Sequence, residues 1–172
     1  MQEKYKMDNP LPSKDISFNG QLLFHGSLQI VRKPEIRIGK YAKDFSIGFY
    51  CTYFKEQAVR WATRFPAPGY VNIFSCKRTG NLLIKRFDTM TEEWLDFIVA
   101  CRHGDSHDFD IVEGPMANDT IFNYIQDFMD GNISREAFWA LAKFKRPTHQ
   151  ICFHTQKALD TLTFEGYEIY GN

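Results

Sequence analysis

Apolar positions change period several times along the chain, and each change marks an element. Gln21-Leu22-Leu23-Phe24-His25-Gly26-Ser27 reads as a buried strand ending in His-Gly, followed by a turn-like stretch from Leu28 to Gly39 around Pro34. Ile47, Phe49, Cys51 and the pair Tyr53-Phe54 predict a short, largely buried strand, with Gly48 leaving bare backbone for a close approach. Between Lys55 and Phe65, Ala58, Trp61, Ala62 and Phe65 recur at helical spacing until Pro66 stops the run. The unit is therefore strand, turn, helix, with Tyr50 and Trp61 able to face each other across a flat gap.

Segments 69–76 and 82–87 read as strands, and Thr79-Gly80-Asn81 between them suggests a hairpin. Thr91 is placed to cap a helix with Trp94, Phe97, Ile98 and Cys101 on one face. The loop over 102–110 leads into Ile111 to Pro115, after which Asn118 or Asp119 caps a helix that carries Ile121, Phe122, Ile125, Phe128 and Met129 and ends at Gly131. Ser134 opens another helix, with Phe138, Leu141 and Ala142. Gln150 to Thr155 is a strand, Ala158-Leu159 a short helical turn, and Tyr167 to Tyr170 strand-like. Strands without regular crossovers predict an α+β domain over 21–172 with a mainly antiparallel sheet core, behind a polar tail over 1–20.

Composition narrows the function classes. The 172 residues are 44% hydrophobic and 16% aromatic, enough for one sizeable core. Lys+Arg 21 balances Asp+Glu 21, so no overall charge draws the molecule to nucleic acid or anionic lipid, although Arg32, Lys33, Arg37, Lys40 and Lys43 could form a local patch. No apolar run reaches membrane-spanning length and the polar start lacks a signal-peptide core, so a cytoplasmic protein without membrane partners is expected. Cys51, Cys76, Cys101 and Cys152 are unpaired in spacing, which suits reduced core thiols. His103, Asp105, His107, Asp108 and Asp110 invite a metal reading, but they crowd one loop without a recognised ligand spacing, and no metal is expected.

Three ordered motifs carry a resemblance. Leu23-Phe24-His25-Gly26-Ser27, then Gly48-Phe49-Tyr50-Cys51-Thr52 with Ala58 and Trp61, then Gln150-Ile151-Cys152-Phe153 resemble the motifs of the ADP-ribosyltransferase superfamily, in the His-Tyr-Glu branch shared by diphtheria-type toxins and poly(ADP-ribose) polymerases. More narrowly, 44–62, 108–119 and 150–159 resemble a bacterial family of unknown function within that superfamily.

The resemblance implies a split, mainly antiparallel sheet with flanking helices, and NAD as a substrate. It implies a toxin-like mono-ADP-ribosyltransferase that moves ADP-ribose to a protein side chain, a nucleic-acid base or a small molecule, and it admits a neutralising partner protein. His25 then binds a ribose hydroxyl, Gly26 holds the nicotinamide carboxamide, Tyr50 stacks on the nicotinamide ring and Trp61 supplies a second ring. Ser27 and Gly48 belong to the same binding set. Gln150 stands where the branch has its glutamate, and a glutamine offers hydrogen bonds but neither charge nor base. Asp119 is the carboxylate available to replace it, and restoring glutamate at position 150 is expected to retain or raise activity. The alternatives are a catalytically weak NAD or ADP-ribose-binding module and an NAD-dependent RNA 2′-phosphotransferase, the latter needing a more basic groove.

Overall fold

The computed structural model describes residues 20–39, 43–77, 81–142 and 148–171. Within them the chain is α+β, with seven strands and five helices. Strands β1 (Leu22–Ser27), β3 (Gly69–Cys76) and β7 (Leu162–Tyr170) form an antiparallel sheet in the order β1-β3-β7. Strands β2 (Phe49–Cys51), β4 (Ile84–Arg86), β5 (Ile111–Gly114) and β6 (Gln150–Phe153) form a second sheet in the order β2-β6-β5-β4. Only β4 and β5 run parallel among the described strands. The expectation of a mainly antiparallel α+β core therefore holds.

Side-chain alternation on β6 explains how the second sheet divides the interior. Ile151 and Phe153 point into a core shared with Leu23 and Phe74 of the first sheet, while Cys152 points to the opposite core. That opposite core is filled by Trp94, Phe97 and Ile98 of α2 (Glu92–Arg102), Ile121 and Ile125 of α3 (Asp119–Met129) and Phe138 of α4 (Arg135–Ala142). All four cysteines are free and buried. Thr91 caps α2 by accepting from Trp94 N–H, Asn118 caps α3 by accepting from Ile121 N–H, and Ser134 Oγ accepts from Ala137 N–H at the start of α4. Among the described residues no helix is long and apolar enough to cross a membrane.

Four expectations are corrected. Segments 69–76 and 82–87 do not form a hairpin: both edges of β3 are occupied, by β1 and β7, and β4 pairs with β5 in the other sheet. Asp110 makes the switch, since its side chain accepts from Leu83 N–H at 2.8 Å and its own N–H donates to Leu83 O at 2.8 Å. Thr79 and Gly80 of the expected turn, like the tail over 1–19 and Lys40, lie outside the described residues. Ile47 is 45% exposed instead of buried, because β2 begins only at Phe49. Helix α1 (Lys55–Ala62) stops short of Phe65, and its buried face is Gln57, Ala58 and Ala62, leaving Trp61 46% exposed. Leu141 on α4 is likewise exposed at 42%.

Candidate functional site

The site arises where the two sheets part. One isolated bridge joins β1 to the residue just after β2, Phe24 with Thr52, whose N–H···O bonds measure 2.8 and 3.0 Å. In an unbroken antiparallel ladder the next hydrogen-bonded pair would be Gly26 with Tyr50, and Gly26 N–H would donate to the Tyr50 carbonyl. His25 breaks the ladder by donating from Nδ1 to that carbonyl at 2.7 Å. The same alternation turns the Gly26 N–H and C=O away from β3, toward the opening. Helix α1 then seats directly on Gly26, where a Cβ would stand 2.0 Å from Ala58 O.

Divergence of the strands leaves a cleft of about 640 Å³, a size suited to a small-molecule ligand. His25, Gly26, Tyr50, Trp61, Asp119 and Gln150, six of the residues singled out from the sequence, all line it.

The hydrogen bond to a carbonyl fixes the histidine tautomer. A carbonyl only accepts, so Nδ1 of His25 carries the proton and Nε2 is the acceptor. Burial pushes the imidazole down to about 4, with Lys43 and Arg37 adding to the effect, so the ring is neutral at physiological pH. Its centroid lies 4.4 Å from that of the Phe49 ring, which holds the imidazole in place. His25 is thus a fixed hydrogen-bond acceptor suited to a hydroxyl.

Tyr50 organises the turn before it. Its hydroxyl donates to Ser46 O at 2.6 Å and accepts from Phe45 N–H at 3.2 Å, clamping a turn in which Ser46 has φ of 70°. Such a φ is unusual for a residue with a Cβ, and the clamp is what maintains it. Burial raises the Tyr50 phenol well above its ordinary value, so it stays protonated. The clamped turn carries Asp44 into the site.

Asp44 is the carboxylate that the sequence reading did not single out. Buried, it pairs with Arg102 at 2.6 Å, accepts from Ala117 N–H at 2.9 Å and accepts from Gln150 Nε2 at 3.3 Å. Gln150 Nε2 also donates to Pro115 O at 3.3 Å, so both neighbours of the amide are acceptors and the NH₂ group must face them. Asp119, in the first turn of α3, is exposed at the cleft and stands apart from this network.

Behind Gln150, Gln57 grips the main chain of His149, donating to its carbonyl at 2.6 Å and accepting from its N–H at 3.2 Å. The His149 ring stacks on Tyr53 at 4.1 Å and donates from Nε2 to the buried Glu113 at 3.1 Å. Sequence spacing gives no sign of either polar contact, because the partners are 92 and 36 positions apart.

Two expected members fall elsewhere. Gly48 is bare because β6 passes against it: a Cβ there would stand 2.3 Å from Cys152 Sγ and 2.7 Å from Phe153 O. Ser27 turns its hydroxyl into the following bend, donating to Gln29 O at 2.6 Å and accepting from Gln29 N–H at 3.1 Å. In the 102–110 loop, Asp110 is taken by Leu83 N–H, Thr155 at 2.7 Å and Lys157 at 2.9 Å, and His107 packs edge-on to His154 at 4.5 Å. Among the described residues no group of three or more His, Cys, Asp or Glu side chains could hold a metal ion.

The cleft therefore offers a fixed acceptor on His25, a backbone donor and acceptor on Gly26, the rings of Tyr50 and Trp61 and a glutamine tied to a buried ion pair. Such a set can hold a flat ring bearing an amide next to a hydroxylated group. No curated protein and no solved structure matches the chain. The model of one family, described as protein of unknown function (DUF3990), matches residues 21–164, and the chain belongs to that family.

Proposed function

We propose that the protein is an NAD-dependent mono-ADP-ribosyltransferase with an ADP-ribosyltransferase-like fold, transferring ADP-ribose to a macromolecular acceptor and releasing nicotinamide. The observation that carries this reading is the broken ladder. His25 takes the Tyr50 carbonyl at 2.7 Å and thereby frees the Gly26 backbone beside the Tyr50 ring, in one cleft. Nicotinamide needs a ring to stack on and a donor and acceptor for its carboxamide, and Tyr50 and Gly26 offer both. His25 Nε2 is the acceptor for a ribose hydroxyl.

In the reaction the bond from ribose C1′ to the nicotinamide nitrogen breaks, with its electron pair leaving on nicotinamide. The acceptor's lone pair forms the new bond to C1′ and its proton passes to a base, for which Asp119 at the cleft is the carboxylate in reach of solvent. Holding the ring and ribose in fixed orientation supplies the positional part of the rate enhancement. Gln150, which lines the cleft and is tied to the Asp44–Arg102 pair, is the polar group of this reading nearest to the superfamily's third motif.

One observation favours a second reading, an NAD or ADP-ribose-binding module of low turnover. Both acceptors around the Gln150 amide are internal, Asp44 and Pro115, so its donors serve the protein scaffold. Incubation with NAD labelled in the adenylate separates the two. The transferase reading expects label on a macromolecule of a cell lysate together with free nicotinamide. The binding reading expects tight NAD binding without nicotinamide, and absence of both binding and release would overturn each.

A further inference from the structure

The Tyr50 and Trp61 rings of the cleft each have a cation on one face. Lys43 Nζ lies 4.7 Å from the Tyr50 ring centroid and the Arg64 guanidinium 4.8 Å from that of Trp61, and all four side chains line the same cleft. Contacts of this kind at exposed positions contribute only about 0.5–1 kcal/mol each, so a stacking ligand displaces them readily. Among the described residues, no ion pair joins Lys43 or Arg64 to a carboxylate. Of the two carboxylates that line the cleft, Asp44 is held by Arg102 at 2.6 Å, which leaves Asp119 on α3.

A planar group that stacks on Tyr50 or Trp61 must move the cation off that ring. The displaced side chain remains tethered at the cleft and exposed, and Asp119 is one carboxylate for two cations unless the ligand itself brings an anion. A single flat ring does not. A ligand with a ring at either end and a diphosphate between them satisfies both rings and both cations together. Long, flexible Lys and Arg stems can swing between a ring face and a phosphate without backbone movement.

We propose that Lys43 and Arg64 are the diphosphate-binding pair of this cleft, resting on Tyr50 and Trp61 in the ligand-free protein and moving to the phosphates when a dinucleotide enters. The assignment of nicotinamide to Tyr50 rests on the function proposed above; placing the ligand's second ring on Trp61, which the resemblance put beside the nicotinamide, and the diphosphate on the two cations extends it.

Calorimetric titration of the full chain with NAD, ADP-ribose, inorganic pyrophosphate and nicotinamide tests this, using Lys43→Met, Arg64→Met and the double variant. Both residues are exposed, so the fold should survive, which circular dichroism checks. Each single variant should bind NAD and ADP-ribose roughly tenfold more weakly, as for loss of one charge-assisted hydrogen bond in a partly hydrated site. Nicotinamide should bind each variant as well as or better than the wild type, because the competing cation is gone. Wild-type affinity for NAD should fall with added salt, and the double variant should lose most of that dependence.

NAD binding unchanged in the double variant would overturn the cation assignment and leave the transferase reading standing. Pyrophosphate or ADP-ribose binding that depends on both cations, with no nicotinamide release from NAD, would support the cation assignment and sink the transferase reading. A wild type that binds none of the phosphorylated probes would overturn both.

Discussion

Replacing Gln150 with glutamate is the substitution on which family resemblance and local geometry disagree most. Resemblance expects the charge to be welcome. In the structure, the group being replaced donates from Nε2 to Asp44 Oδ2 at 3.3 Å and to Pro115 O at 3.3 Å. An ionised glutamate would present oxygen to both acceptors and lie beside a carboxylate in a buried position. Two unit charges about 3.3 Å apart repel by roughly 5 kcal/mol at an effective dielectric of about 20. The cheaper escape is protonation, which for a glutamate of ordinary pKa about 4.3 costs roughly 4 kcal/mol at pH 7 and roughly 1 kcal/mol at pH 5.

Gln150→Glu should therefore lose about 3–4 kcal/mol of stability at pH 7, a large share of the usual 5–15 kcal/mol, and recover most of it by pH 5. The sign follows from linkage: the folded variant holds a proton that the unfolded chain releases above about pH 4.3, so its stability falls as pH rises. Urea denaturation of the wild type, Gln150→Glu and Gln150→Met from pH 5 to 8 measures this, with methionine reporting loss of the hydrogen bonds alone. If Gln150→Glu matches the wild type at pH 8, the amide does not face Asp44 and the network is misassigned.

Other perturbations address single contacts. Tyr50→Phe keeps the ring but removes the hydroxyl that holds Ser46 O at 2.6 Å, and should cost about 1–2 kcal/mol in denaturant midpoints while weakening NAD turnover. An unaffected variant would mean the turn holds itself. Gly26→Ala places a Cβ 2.0 Å from Ala58 O and should destabilise by about 1–3 kcal/mol or more as α1 is pushed off the sheet, whereas full thermal stability would show that the helix sits less tightly. Asp44→Asn leaves Arg102 as an unpaired buried cation and should cost about 3–5 kcal/mol, read by thermal unfolding. Burial holds His25 and His154 down to about 4 against an ordinary 6.5, so the native state keeps both neutral while the unfolded chain takes up protons. Stability is then complete above about pH 6.5 and declines as pH falls toward 4, and NMR titration showing either ring protonated at pH 6 would contradict it.

How much of this was legible in the sequence depends on the range over which each feature is determined. Caps at Thr91, Asn118 and Ser134 are local, and each was visible as a polar residue ahead of an apolar period. The convergence of His25, Tyr50, Trp61 and Gln150 on one cleft agreed with motif order. Strand partners were not legible, because β4 has apolar positions that suit either sheet and its choice is made by Asp110, 27 residues beyond Leu83. Asp44 escaped notice for a similar reason: its partner Arg102 lies 58 positions away on a helix, so nothing near Asp44 marks it as buried. Gly48 was visible as a bare position, but only the fold shows that β6, and not a ligand, approaches it.

The most direct test of the central claim is nicotinamide release from saturating NAD by the purified protein, beside His25→Ala and Tyr50→Ala variants confirmed as folded. If the broken ladder between β1 and β2 forms an NAD site, the wild type releases nicotinamide and both variants lose at least about 10²-fold in rate, the scale of deleting a positioned group at a reacting centre. Wild-type release that either variant leaves undiminished would place the chemistry outside this cleft.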